Sequence, residues 1–432
     1  MDIAAYLADI LMYAAGFITL LCVPVFLWQG VVNLFGFFAG KKKGLVGKGT
    51  NTPEKTVFPD EPCRFAVVAC ARNEEAVIGQ LLDSLRRQRY PRDRFSLFVV
   101  ADNCTDGTAE AARSHGAFVL ERFNRQQVGK GHALRWAFPR ILKEAPDCDA
   151  VVLFDADNEA EPDFLDRMDQ ALRSGADVAQ GYRVASNPGD SWVSGCYAVY
   201  WRYMSRFFNR SRARMGNSCL VGGTGFAFRR ELLEKDGWNT RTLSEDTEFS
   251  IQHICRGRRI VPVDDAVFYD EQPVSFRVSL RQRFRWMTGS LQCASRLLPD
   301  ACRALGRGGR QAFAAWDVLM LLLLPLAVVL STVAGTASVL TLLFSGQFDQ
   351  LTMPLLSGVV SVLSLMVMAA VTLRLEGDRV RPLWKSVVLF PLFVIPVSWL
   401  LVVALIRPGR DWKPIVHTGR RAAKEEAPAN LS

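Results

Sequence analysis

The sequence predicts an α/β domain, with a mostly parallel sheet and helices on both faces, inserted between transmembrane helices. Three observations support this fold class. Short apolar segments alternate with helical patterns between residues 61 and 272. The apolar segments are hydrophobic on both faces, which is typical of buried parallel strands. Long uncharged stretches flank this region, and each approaches or exceeds the ~20 residues that a helix needs to cross a bilayer.

The first uncharged stretch, residues 10–40, is expected to be a transmembrane helix and not a signal peptide. Two acidic residues and no basic residue precede it, whereas a signal peptide begins with positive charge. Lysines at positions 41, 42, 43 and 48 follow it. Because basic residues mark the cytoplasmic side of a span, we expect a multi-pass protein of the inner (plasma) membrane with its central domain in the cytoplasm.

The expected organisation has six parts. They are a transmembrane segment (1–40), a linker (41–60), a cytosolic domain (61–272), amphipathic interfacial helices (273–312), C-terminal transmembrane segments (313–406) and a charged tail (407–432). Three C-terminal spans would place the tail outside, whereas its basic residues favour the inside. Pro391 and Pro396 suggest a re-entrant hairpin in the last span, so we expect a cytoplasmic tail.

The elements of the domain follow in a regular order. Strands are expected at 64–71, 95–102, 117–123 and 149–154, and helices at 74–88, 107–114 and 129–145. In open α/β sheets the ligand lies at the carboxyl ends of the strands. Acidic side chains occur just past those ends here, at Asp102, Asp155 and Asp157.

Asp155 and Asp157 form a D-x-D pair directly after a buried strand. Residues two apart in an extended chain point to the same side, so the two carboxylates together attract a hard divalent cation that also binds substrate phosphates. The alternative is a turn with two solvated aspartates. Lys130, between two glycines before a helix, either cradles a phosphate or is an ordinary surface lysine.

Two later segments also carry candidate chemistry. The acids of residues 244–248 open a helix, where capping and the helix dipole are sufficient reasons for them. Residues 276–296 fit an amphipathic helix lying in the membrane interface. Its apolar stripe, expected to face lipid, comprises Phe276, Leu280, Phe284, Met287 and Leu291. Its opposite face carries Gln282, Arg285 and Trp286, suited to phosphate binding and to stacking on a sugar.

Composition excludes several other classes of protein. The net charge of +9 accompanies no nucleic-acid-binding motif, so a nucleic-acid partner is not expected. The ten cysteines contain no C-x-x-C pair and favour a reduced, cytosolic domain. The four histidines form no ligand set, and no nucleophile elbow is visible.

Seven segments stand in an informative order. They are CARNEE (70–75), ADNCTDGT (101–108), GKGHAL (129–134), FDADN (154–158), GGTGFAFRR (222–230), SEDTE (244–248) and Q-x-x-R-W (282–286). Together they resemble the membrane-embedded family-2 glycosyltransferases, which include cellulose, hyaluronan, chitin-oligosaccharide and poly-N-acetylglucosamine synthases. The resemblance covers roughly residues 61–290 with the flanking spans, and it implies a GT-A fold that takes a UDP-sugar.

The resemblance also implies roles for individual residues. Asp246 would be the general base. Donor binding would fall to Asp102, Lys130, Asp155, Asp157, Gln282 and Arg285, with Mg²⁺ or Mn²⁺ held by Asp155 and Asp157. The acceptor would meet Trp286, Gly223, Thr224 and Glu245. The acceptor-side motif reads GGTG, without the Cys-Gly-Ser or Cys-Gly-Pro of well-known processive synthases, which leaves the acceptor open.

Three functions are compatible with these residues. The first is an inverting, metal-dependent hexosyltransferase that adds sugar to a growing glycan at the cytoplasmic face of the membrane. The second adds a single sugar to a lipid or polyprenyl carrier. The third is a non-catalytic scaffold or channel subunit, which the intact carboxylates and the Q-x-x-R-W motif oppose.

Overall fold

The mixed sheet and the helices around it follow the predicted alternation. The structure, a computed structural model, describes residues 3–40 and 61–409, with side chains from residue 10 onward. The predicted linker (41–60) and nearly all of the tail lie outside the described residues. The strands are β1 (Phe65–Ala71), β2 (Phe95–Asp102), β3 (Phe118–Arg122), β4 (Ala150–Asp155), β5 (Glu159–Ala160), β6 (Val178–Ala185), β7 (Phe226–Arg229) and β8 (Ile260–Asp270).

Helices cover both faces of this sheet and extend beyond it. Those up to the last strand are α1 (Ile3–Phe37), α2 (Ile78–Arg86), α3 (Thr108–Ser114), α4 (Lys130–Glu144), α5 (Phe164–Arg173), α6 (Trp192–Tyr203), α7 (Ser211–Arg214), α8 (Glu231–Asp236) and α9 (Glu245–Cys255). Those after it are α10 (Phe276–Leu305), α11 (Gly309–Phe344), α12 (Thr352–Leu375), α13 (Trp384–Val394) and α14 (Pro396–Ile406). A π-helical turn (Met204–Arg210) joins α6 to α7.

The sheet has the order β3-β2-β1-β4-β7-β6-β8-β5. Its first four strands are parallel, and antiparallel pairings join β7 to β4 and β6. Along β1, Phe65 and Val67 belong to the core beneath α2 and α5, whereas Ala66 and Val68 belong to the core beneath α4. Both faces of the strand are therefore buried, and the predicted α/β class with helices on both faces is confirmed.

Within residues 3–40 and 61–409, four helical segments are long and apolar enough to cross a membrane. They are Ile10–Phe37, Gly309–Phe344, Phe348–Leu375 and Arg381–Ile406. Buried contacts to Asp317 of α11 join two of them to the domain. Arg212 Nε forms an ion pair with this carboxylate at 2.8 Å, and the Trp28 indole of α1 donates a hydrogen bond to it at 2.8 Å. α10 is one helix up to Leu305, so α11 begins slightly before the predicted boundary at residue 313.

The re-entrant hairpin expected in the last segment does not form. Ile395, the single residue between α13 and α14, keeps a right-handed helical backbone with φ −54° and ψ −40°. Pro396 stands at the first position of α14, where a helix needs no backbone N–H donor, so the chain continues without reversing.

The apolar stripe of α10 is partly buried against other segments of the chain, which corrects the prediction that it faces lipid. The ring of Phe276 packs 5.2 Å from that of Trp192, and Phe284 lies against Gly409. Arg283 of the same helix is 3% exposed and donates to the carbonyl oxygen of Phe393. The helical wheel identified an apolar face correctly, but residues of that face pack against other segments of the chain or line an internal cavity.

Candidate active site

The carboxyl ends of three neighbouring parallel strands form the floor of the site. Cys70 of β1 pairs with Asp155 of β4, and Ala71 pairs with Ala101 of β2. This register places Asp102 and Asp155 at the same edge of the sheet, where the sequence predicted a ligand.

The D-x-D turn is held from beneath by two buried side chains. The backbone N–H of Asp155 donates to Asn158 Oδ1 at 3.1 Å and to Thr224 Oγ1 at 2.8 Å. Thr224 is 0% exposed and its hydroxyl donates to Asn158 Oδ1. Thr224 therefore supports the turn that carries Asp155 and Asp157, and its side chain does not line the cavity.

Lys130 links the D-x-D turn to the GGTG segment. Its ammonium group donates to Asp155 Oδ1 and, at 2.7 Å, to the carbonyl oxygen of Gly223. Burial opposes the charge of this amine, but the carboxylates of Asp155 and Glu245 outweigh burial and raise the pKa of Lys130. The sequence alternative of an ordinary surface lysine is therefore wrong.

Asp102 is nearly buried and already has two partners. Its Oδ1 accepts from the Arg122 guanidinium and, at 3.0 Å, from the Asn103 amide. Arg122 also donates to the carbonyl oxygen of Gln127 at 2.7 Å, so the carboxylate is fixed in orientation at the cavity wall. This geometry leaves Asp102 Oδ2 as the oxygen that can meet a ligand.

Asp246 stands in the first turn of α9, and the cavity reaches its carboxylate. Asp246 Oδ1 accepts from the Thr247 N–H at 2.7 Å. Burial raises the pKa of Asp246, and the Thr247 N–H with nearby cations opposes that rise. Burial beside Asp246 raises the pKa of Glu245 to about 7. Glu248, by contrast, stabilises the preceding loop, because its Oε2 accepts hydrogen bonds from the N–H groups of Arg241 and Thr242 at 2.7 and 2.6 Å.

The Q-x-x-R-W residues of α10 enter the same cavity. Gln282 Oε1 accepts from the Tyr197 hydroxyl at 2.8 Å. The Trp286 ring stacks on that of Tyr200 at 6.2 Å, with 21° between their planes. Arg285 also lines the cavity. Within the described residues Arg285 makes no hydrogen bond or ion pair, so its guanidinium is available to an anionic ligand.

Sequence reasoning missed a second charged cluster on the cavity wall. Arg183 of β6 donates to the carbonyl oxygen of Gly222, lies 3.5 Å from Asp270 and sits 4.0 Å over the ring of Trp201. Burial raises the pKa of Asp270 to about 7, although Arg183 acts against that rise. A basic residue inside an apolar strand was the available signal, since Arg183 interrupts the strand VAQGYRVA.

One cavity of about 1530 Å³ is lined by Asp102, Lys130, Asp155, Asp157, Arg183, Asp246 and the Q-x-x-R-W residues. Its other end is apolar and is formed by α10, α11 and α14. The residues lining that end are Phe284 and Met287 of α10, Leu321, Leu322, Leu324, Pro325 and Val328 of α11, and Val397 and Leu401 of α14. The cavity therefore joins a charged, sheet-edge half to an aliphatic half at the level of the spans.

The site fits a divalent cation shared with a ligand. Among the described residues, no group of three or more His, Cys, Asp or Glu side chains is placed to hold a metal by itself. Mg²⁺ typically takes one or two protein carboxylates and completes its shell with water and substrate phosphates. Asp155 and Asp157 supply such a pair, and the Asp155 side chain is 41% exposed toward the cavity.

Comparisons with known proteins identify the family to which the chain is similar. The family described as "Glycosyltransferase like family 2" matches residues 62–289. A β-monoglucosyldiacylglycerol synthase of Nostoc sp. is 28% identical over 60% of this chain and 54% of its own length. A probable glucomannan 4-β-mannosyltransferase of Arabidopsis thaliana is 26% identical over 50% of this chain and 43% of its own. The chain thus spans about half the length of these curated relatives.

Among solved structures, the mannosyltransferase PcManGT of Pyrobaculum calidifontis, in complex with GDP-Man and Mn²⁺, is similar to this chain. It is 21% identical, with a TM-score of 0.48 over 85% of this chain and 99% of its own.

Proposed function

This chain belongs to the family-2 glycosyltransferases, and we propose that it transfers one sugar from a UDP-sugar to the hydroxyl group of a lipid acceptor at the membrane surface. The single observation that supports a lipid acceptor is the continuity of the cavity. Asp246 and Arg285 share it with Leu321, Val328 and Leu401. An acyl chain fits aliphatic walls, because burying each CH₂ there gains about 0.8 kcal/mol.

The charged half suits the donor. Asp102 faces the uracil end, and Lys130 and Arg285 neutralise the diphosphate. Asp155 and Asp157 would hold Mg²⁺ or Mn²⁺, which supplies further positive charge for the departing diphosphate. Gln282, oriented by Tyr197, borders the same groups. We place this half in the cytoplasm at the inner membrane, because the lysines after α1 mark that side.

Transfer then needs one displacement with inversion at the sugar carbon. Asp246 accepts the proton of the acceptor hydroxyl as that oxygen attacks the sugar carbon. The bond from this carbon to the diphosphate oxygen breaks, and UDP leaves toward Lys130 and Arg285. Burial raises the pKa of Asp246, as suits a group that accepts a proton, while Lys130, Arg183 and Arg285 act against that rise. Trp286 offers an indole face to the sugar.

One observation favours a second candidate, a synthase that extends a glycan. Tyr200, Trp201 and Trp286 form an aromatic cluster on the cavity wall, with Trp201 and Trp286 rings 6.0 Å apart. Aromatic faces of this kind can stack against successive sugar rings. The apolar walls beyond the cluster offer an extended glycan few hydrogen-bond partners, and for that reason we favour the lipid.

A product experiment separates the two. The purified full chain in lipid nanodiscs is incubated with a panel of UDP-sugars, with and without diacylglycerol, and UDP release and product size are measured. We expect UDP release that depends on the lipid and a single-sugar product that partitions into organic solvent. A water-soluble product that lengthens with time would overturn the lipid assignment.

A pair of variants on one helix sharpens this test. Val328→Phe narrows the apolar half of the cavity, whereas Val333→Phe on the same helix points outward, because Val333 is 49% exposed. We expect Val328→Phe to raise KM for the lipid several-fold while leaving KM for the UDP-sugar unchanged, and Val333→Phe to alter neither. Equal behaviour of the two variants would show that the lipid does not occupy this end of the cavity.

A further inference from the structure

The last apolar segment, residues 384–409, stays in contact with the catalytic domain along its length. At its start, the Cys196 thiol of α6 donates to the carbonyl oxygen of Ser386 at 3.3 Å. In its middle, the Arg283 guanidinium of α10 donates to the carbonyl oxygen of Phe393 and lies 4.0 Å from the centre of that ring. Both partner helices carry side chains of the active site.

The end of the segment returns to the same place. The N–H of Gly409 donates to Thr288 Oγ1 of α10 at 3.3 Å, and a β-carbon at Gly409 would lie 3.2 Å from the ring of Phe284. Phe284 is adjacent in sequence to Arg285, whose side chain lines the cavity. Residue 409 therefore lies beside the active site, after a helical stretch that is long enough to have left it.

Length makes this contact pattern informative. At 1.5 Å per residue, the helical stretch 384–406 measures about 34 Å, which matches the ~30 Å hydrocarbon core of a bilayer. A helix that crossed the membrane from α6 would end about one bilayer thickness away from α10. Contacts with α6 or α10 at the beginning, middle and end are instead those of a helix that lies along these two helices.

The chain that enters this segment is also fixed to the domain. Glu376, directly after α12, has a fully buried side chain that accepts from the guanidinium groups of Arg206 and Arg210 at 3.1 and 2.6 Å and from the Tyr182 hydroxyl at 2.6 Å. Asp378 accepts from Arg202 at 2.6 Å. The loop before the segment thus lies on the same side as the catalytic domain.

One face of the segment has no protein cover and is apolar except for the exposed Lys385 near its start. Seven exposed apolar side chains recur every three or four residues and form a single stripe along the continuous helix. They are Trp384, Val388, Leu392, Ile395, Trp399, Val403 and Ile406. Trp384 and Trp399 both lie on this stripe, and tryptophan is common on the lipid-facing side of helices that lie in the interface.

We propose that residues 384–409 do not cross the membrane but lie in its interface on the catalytic side, with this stripe in contact with lipid. Of the apolar helices in the described ranges, α1, α11 and α12 are then the ones that cross. The chain after residue 409 starts on the catalytic side, which removes the conflict between the count of spans and the basic residues that follow. Because Val397 and Leu401 line the cavity, the segment also forms its membrane-side wall.

Cysteine labelling in sealed membrane vesicles tests the sidedness without measuring sugar transfer. Cys302 of α10 is exposed and marks the catalytic side. Arg407→Cys follows the segment, and Gln350→Cys, in the turn between α11 and α12, marks the opposite side; both positions are exposed. With a membrane-impermeant maleimide and mass spectrometry of the peptides, we expect Arg407→Cys to react in the vesicles in which Cys302 reacts. Reaction together with Gln350→Cys instead would overturn the proposal.

Depth measurement gives an independent result on the same segment. Nitroxides are placed at Val388, Ile395 and Val403, which are 46%, 45% and 46% exposed, and at Leu355 and Leu363 of α12 as the crossing reference. We expect the first three to lie at one shallow depth, roughly 5–10 Å into the headgroup and acyl boundary. If the nitroxide at Ile395 lay at the bilayer centre and those at Val388 and Val403 lay near the two surfaces, the segment would cross the membrane.

Discussion

Gly223 packs directly against the carboxylate of Asp246: a β-carbon at Gly223 would lie 3.2 Å from Asp246 Oδ2, and the glycine backbone has φ +83°. The carbonyl oxygen of Gly223 is held by Lys130. Gly223 therefore contacts both the proposed base, Asp246, and the proposed donor-binding lysine, Lys130. These two residues are 116 positions apart in the sequence.

Gly223→Ala should impair transfer far more than Gly222→Ala. A side chain at φ +83° costs about 1–2 kcal/mol, and the added methyl group crowds Asp246. If that cost falls on the transition state, transfer drops about tenfold. At Gly222 the nearest atom to an added β-carbon is 3.6 Å away, which is ordinary contact. Initial rates of UDP release check the pair, and equal rates would contradict the argued packing.

Asp246→Asn should abolish transfer while leaving the fold intact. The asparagine oxygen can still accept from the Thr247 N–H, but it cannot take a proton, so we expect a loss of roughly 10²–10⁴-fold. Glu248→Gln is the contrasting change, because Glu248 accepts two buried backbone N–H groups and should mainly lower the melting temperature. Near-normal turnover in Asp246→Asn would remove this residue as the base.

Removal of divalent cations should stop transfer. We expect EDTA to reduce UDP release to background and Mg²⁺ or Mn²⁺ to restore it, because Asp155 and Asp157 lie at the strand edge that faces the cavity. Asp157→Ala should weaken this metal response, whereas Asp93→Ala, with a side chain 76% exposed outside the cavity, should not. Full activity in EDTA would refute the metal assignment.

Glu245→Gln should stabilise the protein at alkaline pH more than at acidic pH. Its pKa is about 7 in the fold, against an ordinary value of 4.5, so the folded state holds the proton more tightly than the unfolded state. The stability that the protonated Glu245 carboxyl gives to the fold is present below pH 4.5 and is lost as the pH rises through 7. We expect a gain in Tm of roughly 2–4 °C at pH 8 and a smaller gain at pH 5. Glu110→Gln, at a side chain 72% exposed, serves as the control; an equal gain at both pH values would contradict the assignment.

Much of the fold was predictable because its signals are local. The strands around Val67, Val99 and Val152 are short and apolar on both faces, and that pattern requires only neighbouring residues. The D-x-D pair after β4 and the acids opening α9 were found in the same way. The family resemblance then gave expected roles to both aspartates of this pair and to Glu245 and Asp246. All of them line one cavity, as those roles require.

The sequence could not place residues whose position depends on distant partners. Thr224 was predicted to meet the acceptor but lies under Asp155, and Arg183 was overlooked although it lines the cavity. Phe284 was predicted to face lipid, yet it lines the cavity and lies against Gly409, which is distant in sequence. Helical periodicity shows that a face is apolar, but it does not show whether lipid or protein covers that face.

By itself the sequence determined the α/β alternation, the acidic strand ends and the apolar segments, because each arises from the spacing of side chains within one element. The tertiary structure alone decided that Lys130 joins Asp155 to Gly223, that one cavity runs from Asp246 to Leu401, and that residues 384–409 lie along α6 and α10. The physical reason is that these arrangements depend on packing between segments far apart in the chain, where hydrophobicity is equally satisfied by lipid or by protein.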